Sequence, residues 1–399
     1  IAHEIFTYVL RDMTDRKGGF YSAEDADSEG EEGKFYVWTK SEINKILGPI
    51  EGKQFTDIFG FKEGGNFHDE ATGQLVSNNI PYLKNKITKY GKTNNIDIRS
   101  LKTILEKNRI TLFKHREKRI HPLKDDKILT DWNGLMIAAL ANGGKILKES
   151  KYINAAEKSA NFILDNLKDD NGRLYKRYRN GSIGLQPHID DYAFLIWGLL
   201  NLYETNFDSY YLKSAIELSE IMVSDFLDKE NGGFFIGPEN GEKLIVRSKD
   251  SYDGAIPSGN AVAAMNCIRL SKFTGNTKWK EISQNTFLAF SEGVNRVPSA
   301  HSFMLTSFMF DLENPKEIVI VSNKINSETI FLARKIQDIY NPHSVIVLKD
   351  MSNSTELTEI APWTSLHDTI DDKVTFYICE NFACKRPTTD IDIAIKYLQ

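Results

Sequence analysis

Asp169-Asp-Asn-Gly-Arg-Leu-Tyr175 and Asp228-Lys-Glu-Asn-Gly-Gly-Phe-Phe235 are two versions of one turn, and each closes a stretch of helical apolar spacing. Ahead of the first runs Tyr152-Ile-Asn-Ala-Ala-Glu157, and 59 residues on, ahead of the second, runs Tyr211-Leu-Lys-Ser-Ala-Ile216. A third copy begins near Trp279, 68 residues after Tyr211, and Gly18-Gly-Phe-Tyr21 ends an earlier one. A helical hairpin sealed by a Gly/aromatic turn and repeated about every 60 residues describes stacked αα-hairpins, each burying one face only against its neighbours. Windows at 131–148, 151–168, 190–206, 209–228, 259–273, 277–292 and 299–311 predict helices, mostly in pairs. Residues 1–13 read as a further amphipathic helix with Ile1, Ile5, Tyr8, Val9 and Met13 on one face.

Such an array can stay open as a solenoid or close into an α/α toroid with an inner and an outer ring. Closure is favoured by Trp132-Asn-Gly-Leu-Met-Ile-Ala-Ala-Leu-Ala141 and Ala261-Val-Ala-Ala-Met-Asn266, whose small residues suit tight central packing. The N-terminal ends of these helices carry polar and aromatic groups, where a central pocket would open. Residues 33–39, 173–179 and 243–247 read as short strands of rim β-hairpins. Past residue 315 the pattern changes. Glu317-Ile-Val-Ile-Val-Ser322 and Ser344-Val-Ile-Val-Leu348 are buried strands flanking a helix over 326–338, a βαβ unit, with Val374-Thr-Phe-Tyr-Ile-Cys379 as third strand. No Gly-rich loop follows the first strand, so a nucleotide site has no support. The expected fold is mainly α: an α/α toroid, partial over 1–315, with short rim β-hairpins and a small α/β subdomain over 316–399.

Of 399 residues, 41% are apolar and 11% aromatic, enough for a large core. Fifty Lys and Arg against 55 Asp and Glu give a net charge of −5 with no basic block, which argues against nucleic acid or an anionic membrane as partner. A small neutral or cationic ligand fits better. No run approaches the roughly 18 to 20 apolar residues of a membrane span, and residues 1–30 hold no signal-peptide core. Because Ile1 opens inside a helical pattern, the chain is expected to be a piece of a longer protein. Three cysteines are too few for a disulfide framework in a chain of this size, which points to a reducing cytoplasm. Cys379 and Cys384 form a C-x4-C that no second pair completes, so two semi-buried thiols are expected ahead of the alternative, a disulfide or metal role. Neither a metal site nor a cofactor is assigned.

Polar clusters recur where helices begin. His188-Ile-Asp190-Asp191-Tyr192 opens one helix, and an N-cap role accounts for one of the two carboxylates. The second is left to share acid and base duties with its neighbour or with His188, since close like charges separate pKa values. Asp253-Gly-Ala-Ile-Pro-Ser258-Gly-Asn260 precedes another inner helix; Ser258 reads first as its cap, while Asp253 and Asn260 are left to face a pocket. Asp131, Trp132 and Asn133 supply a cap, an aromatic platform and an amide at a third. The acidic run from Glu24 to Gly33 matches a calcium loop at Asp25, Asp27, Glu29 and Gly30 but puts Tyr36 where the closing Glu belongs. An aromatic-lined, acid-bearing cleft is what sugar recognition uses.

Gly18-Gly-Phe-Tyr-Ser-Ala-Glu-Asp-Ala-Asp-Ser28, Asp125-Asp-Lys-Ile-Leu-Thr-Asp-Trp-Asn-Gly134, Asp190-Asp-Tyr-Ala-Phe194, Asp253-Gly-Ala-Ile-Pro-Ser-Gly-Asn260 and Tyr377-Ile-Cys-Glu-Asn-Phe-Ala-Cys384 resemble the thioredoxin-domain-containing family that includes spermatogenesis-associated protein 20. The resemblance implies an upstream thioredoxin-like domain joined to a six-hairpin, glycosidase-like toroid similar to N-acylglucosamine 2-epimerases. It also implies an upstream His-Phe-Glu-Lys-Met-Leu-Tyr-Asp-Asn stretch, absent here. By matched motif it marks Asp25, Asp27, Asp131, Trp132, Asn133, Asp190, Asp191, Tyr192, Asp253, Ser258 and Asn260 as pocket residues. The expected function is that of a sugar isomerase, epimerase or glycoside hydrolase, with His188, Asp190, Asp191 and Asp253 as acid and base groups. The alternative is a non-catalytic module that binds a ligand or client for the thioredoxin-like domain.

Overall fold

The computed structural model describes residues 1–68 and 73–399. They fall into two compact units, Ile1–Ser22 with Asp126–Gln399 and, inserted between these, Ala23–Asp125. Residues 316–399 thus group with the hairpins, and 23–125 stand apart. No described helix is long and apolar enough to cross a membrane.

The first unit opens with helix α1 (Ala2–Asp12). Of its expected face Val9 and Met13 are buried, with Phe6 beside them, whereas Ile1, Ile5 and Tyr8 are exposed. Phe6 takes the space that Gly143 leaves open, where a Cβ would come within 2.3 Å of its ring, and stacks on Tyr152 at 4.8 Å. Strand β1 (Tyr21–Glu24) leads out of this unit.

The inserted unit holds the short strands β2 (Asp27–Ser28) and β3 (Glu31–Glu32) and the helices α2 (Lys40–Leu47), α3 (Pro49–Ile58), α4 (Ile87–Thr93) and α5 (Ile98–Arg116). The strand expected over 33–39 is not formed, because Gly33 turns the chain at φ 69°. Thr39 caps α2 through Glu42 N–H, and the core gathers Ile43, Phe55, Leu101 and Leu105. The Arg119 guanidinium lies 4.0 Å from the Trp38 ring centroid while bonding the Phe35 and Val37 carbonyls and Glu42.

Strand β4 (Lys124–Leu129) runs straight into α6 (Thr130–Leu147), which pairs with α7 (Ser150–Asn166). The hairpin β5 (Arg177–Arg179) and β6 (Ser182–Gly184) precedes α8 (Ile189–Asn206) and α9 (Ser209–Phe226). Then come α10 (Gly259–Thr274), α11 (Thr277–Arg296) and α12 (Ser302–Leu312). Helix α6 lies on α8, α8 on α10 and α10 on α12, while α7, α9 and α11 each back onto the helix before them. This is the inner and outer layering of a toroid of helical hairpins. Residues 243–247 form no strand; Ile245 and Val246 are largely exposed.

The repeated turn is the structural unit the sequence implied, and it closes the same way three times. Asp15, Asp169 and Asp228 each donate their N–H to the carbonyl of Gly19, Arg173 and Gly233, and Tyr21, Tyr175 and Phe235 donate back to Met13, Leu167 and Phe226. Each turn is then tied to the next inner helix. Asn133 of α6 accepts the Phe20 N–H at 2.7 Å and donates to the Phe20 carbonyl at 3.0 Å. Asn260 of α10 repeats this on Phe234 at 2.7 and 2.9 Å. In the middle repeat the Tyr192 hydroxyl of α8 takes the Leu174 N–H at 2.9 Å.

Beyond the hairpins, β7 (Lys316–Ser322), α13 (Ser327–Gln337) and β8 (Ser344–Asp350) form the expected parallel βαβ unit. After α14 (Thr355–Ile360), β9 (Thr375–Glu380) joins antiparallel to β7, β10 (Ala383–Cys384) pairs with β9, and α15 (Ile391–Leu398) ends the chain. The sheet order is β10-β9-β7-β8. Cys379 and Cys384 are not separate thiols as the sequence reading had them: they stand opposite each other across β9 and β10, and their sulfurs are bonded.

Helices α6 and α8 cross in close contact. A Cβ on Gly134 would lie 2.4 Å from Leu195 N, and one on Gly198 would lie 2.8 Å from the Gly134 carbonyl oxygen. Helix propensity alone would make Gly134→Ala stabilising by about 1 kcal/mol. Backbone cannot yield as a flexible side chain can, so the overpacking cost of about 1 to 3 kcal/mol should win. Urea unfolding of Gly134→Ala should show a lower midpoint than the parent; a higher one would mean that the helices do not meet here.

Candidate functional site

The ties between turns and inner helices bring the N-termini of α6, α8 and α10 to one end of the hairpin array, and a cluster of charged residues forms there. Thr130 fixes the approach of β5: its N–H donates to the Lys176 carbonyl at 3.0 Å and its hydroxyl to the Tyr175 carbonyl at 2.6 Å. Lys176 therefore sits beside the first turn of α6. Its ammonium lies 2.9 Å from Asp131 Oδ2 and 3.4 Å from Asp191 Oδ2. Asp191 is fully buried. Its carboxylate also accepts the Asp131 N–H at 3.1 Å and the His188 N–H at 2.7 Å, so it caps α6 from another helix and α8 from within.

Electrostatics follow from this packing. Burial works against the Lys176 ammonium, but Asp191 and Asp131 outweigh it and its pKa is raised. Burial first and Asp131 second push the Asp191 carboxyl upward, against the pull of Lys176 and the His188 N–H. Asp190 is placed differently. It is only partly buried, and the Gly259 N–H at the start of α10 bonds to it. Gly259 is needed there, since a Cβ would come within 2.1 Å of Asp190 Oδ1. Burial, then Asp131, with Asp250 adding to them, raise the Asp190 carboxyl to about 6. His188 is shifted down, by desolvation and then by Lys176. Trp132 stands beside the cluster with its side chain 46% exposed.

Several expected pocket residues are committed to the scaffold. Asn133 spends its amide on Phe20, the Leu129 carbonyl and the Ser159 hydroxyl; Asn260 spends its own on Phe234 and the Asp250 carbonyl. Tyr192 is buried against Phe226 with its hydroxyl on the Leu174 turn, so its ring offers no platform. Ser258 caps α10 through Ala261 N–H. Asp253 accepts Ser258 N–H on one oxygen and Phe303 and Met304 N–H on the other, which makes it the cap of α12. Asp25 and Asp27 are exposed in the inserted unit, where Asp25 accepts the Asp27 N–H at 3.1 Å. The structure thus gathers Asp131, Trp132, His188, Asp190 and Asp191 and leaves the others elsewhere. Lys176 and Asp250 were missed. Only the position of Lys176 directly after a Gly/aromatic turn hinted at its place.

A cavity of about 770 Å³ lies further along the same helices and is lined by Trp197, Asn201, Glu204, Met265, Arg269 and Phe303. It does not include the acidic cluster. The carboxylates of raised pKa, Asp190 and Asp191, gather at the helix N-termini and not in this cavity. Among the described residues, one three-residue set has metal-ligand spacing: His367, Cys379 and Cys384, with ligand atoms within 4.8 Å of one another.

No family model matches the chain. Over 98% of its length it is homologous to spermatogenesis-associated protein 20, with 34% identity to the Homo sapiens protein and 33% to that of Rattus norvegicus; it covers 53% of each. An uncharacterised protein of Caenorhabditis elegans is 30% identical over 98% of this chain and 56% of its own length. The chain therefore spans about half the length of the curated relatives it matches. Among solved structures, a GH76 alpha-mannanase of Bacteroides thetaiotaomicron overlaps 55% of this chain and 59% of its own at 17% identity and TM-score 0.41. A family 76 mannosidase from the same organism overlaps 78% and 81% at 13% identity and TM-score 0.40.

The sign of the Asp190 shift gives a stability test. Between about pH 4 and pH 6 the folded chain holds a proton on Asp190 that the unfolded chain has released, so stability should fall as pH rises through that window. Asp190→Asn should flatten this fall and unfold at higher urea above pH 6, by roughly 1 to 3 kcal/mol. Urea midpoints of both proteins from pH 4 to 8 measure it, and parallel profiles would refute it.

Proposed function

We propose, for this homologue of spermatogenesis-associated protein 20, a carbohydrate-active role at the helix N-termini, with Asp190 as proton donor to a neutral sugar. The observation that supports it is the division between adjacent carboxyls. Asp191 is locked among Lys176 and two backbone N–H groups, whereas Asp190 is partly open and held near neutrality by burial and Asp131. A carboxyl that keeps its proton near pH 6 beside a second negative charge is arranged as a general acid. Trp132 offers an exposed ring for the apolar face of a sugar, and His188, kept neutral, is available as base, as an epimerase or isomerase requires. Sugar isomerase, epimerase and glycoside hydrolase chemistry share this first proton transfer. Asp253, used as a helix cap, is not the second group of the pair; Asp131 is the nearer choice.

A second reading, a non-catalytic binding module, is favoured by the structural duty of Asn133, Tyr192, Asp253 and Asn260, which removes four polar groups from any ligand site.

Thermal unfolding against a panel of mono- and disaccharides separates the two. A sugar at 100 times its dissociation constant adds about 2.7 kcal/mol, a rise of a few degrees in Tm. The catalytic reading expects a selective shift, lost in Trp132→Ala and kept in Asp190→Asn. Turnover should drop at least about 100-fold in Asp190→Asn and decline above about pH 6 in the parent. A selective shift without turnover would favour the binding module, and no shift with any sugar would overturn the carbohydrate reading.

A further inference from the structure

The hairpin at the sheet edge carries chemistry that the acidic cluster does not use. Asn381 and Phe382 have φ of 50° and 63°, the signature of a two-residue type I′ turn between β9 and β10. That turn makes Glu380 and Ala383 the closing pair and sets Cys379 opposite Cys384, while Lys385 N–H bonds the Ile378 carbonyl one step further. Cys379 and Cys384 therefore occupy the non-hydrogen-bonded position, where side chains approach most closely. A left-handed conformation is unfavourable for Phe, and the surroundings hold it in place. The Phe382 N–H donates to Glu317 Oε2 at 3.1 Å, and Lys272 donates to Asn381 Oδ1 at 3.1 Å while pairing with Glu317 at 2.9 Å.

The two sulfurs are unequal. Cys379 is 1% exposed, whereas Cys384 is exposed on the short edge strand. His367 Nε2 lies 3.4 Å from Cys384 Sγ. The imidazole is buried edge-on against Tyr377 at 4.3 Å and Trp363 at 5.5 Å, and the buried Lys349 ammonium holds its loop through the Thr364 and His367 carbonyls at 2.9 and 2.7 Å. Cys267, the third cysteine, is buried and its thiol is pushed up to about 12, which leaves it inert.

We propose that Cys379 and Cys384 form a thiol–disulfide exchange site for low-molecular-weight disulfides of the glutathione type, with Cys384 attacking, Cys379 resolving and His367 accepting the proton. In the reduced pair Cys384 gives its proton to His367 Nε2, and the thiolate attacks one sulfur of the incoming disulfide. One thiolate leaves, and a mixed disulfide forms on Cys384. Cys379 loses its proton, attacks Cys384 Sγ and expels the second thiolate. Two electrons pass from the pair to the small disulfide, the two cysteine protons end on the two released thiols, and the Cys379–Cys384 bond closes. The reverse sequence oxidises two small thiols.

The test is equilibration of the whole chain in glutathione buffers from fully reduced to fully oxidised, with free thiols counted by alkylation and mass spectrometry under native conditions. A reversible transition of two thiols is expected, and it needs no variant. Cys379→Ser should accumulate one glutathione on Cys384, and Cys384→Ser should accumulate none. His367→Asn should slow the reaction of the reduced pair with oxidised glutathione about tenfold at pH 7, with the alkaline limit unchanged. A bond that survives millimolar reduced glutathione until the chain unfolds would make the pair a structural staple and overturn the proposal. So would thiols that never close, or a reduced chain that binds one Zn2+ through His367 and thereby loses reactivity.

Discussion

One side-chain bond per repeat holds the hairpin array together: an amide or hydroxyl near the start of an inner helix takes the backbone N–H of the turn that closes the hairpin before it. Asn133 does this for Phe20, Tyr192 for Leu174 and Asn260 for Phe234. Buried peptide groups in a turn must find partners, and a satisfied buried amide is worth far more than its net contribution in water suggests. Because each tie joins a turn to the first turn of a helix, all three inner helices must point their N-termini the same way. The acidic cluster follows from that geometry.

Three carboxylates so close together would repel in isolation. They are tolerated because each lies at a helix N-terminus, where unpaired N–H groups and the helix dipole favour negative charge, and because Lys176 lies between two of them. Partial compensation is the useful condition. It leaves Asp191 bonded to Lys176 and two backbone N–H groups, and leaves Asp190 with a carboxyl whose pKa is raised to about 6. A scaffold feature, helix capping, and a chemical one, a shifted acid, thus arise from neighbouring residues in one sequence motif.

Periodicity and turn chemistry made the hairpins legible, since a 3.6-residue pattern and a Gly/aromatic turn are both local signals. The helices over 190–206 and 209–228 and the parallel βαβ unit appear where the pattern put them. Strands depended on partners the sequence does not announce, which is why 243–247 reads as a strand and forms none. The site was half legible. Asp131, Asp190 and Asp191 stand out as helix-start carboxylates, but Lys176 reaches Asp131 across 45 positions of sequence, and no local pattern marks that. Asn133 and Asn260 carry the residue type of a ligand site and the duty of a brace, because the atoms that use their amides lie 113 and 26 positions away. His367 likewise meets Cys384 only through the fold, 17 positions apart.

The β10-β9-β7-β8 sheet has two edges, and each carries a feature that hinders further pairing. At one, β10 is two residues long, and Lys385, Arg386 and Pro387 follow it, two charges and a residue without an N–H. At the other, the Ile346 N–H of β8 donates to Glu204 of α8 at 3.0 Å, and Arg269 of α10 holds that carboxylate from the far side at 2.7 Å. Exposed strand edges are templates on which a second chain can add, the first step of aggregation. The helical array therefore does more than carry the sheet: by lending a carboxylate to the backbone of β8, it occupies a position on the edge of a very apolar βαβ unit where a second chain could otherwise pair.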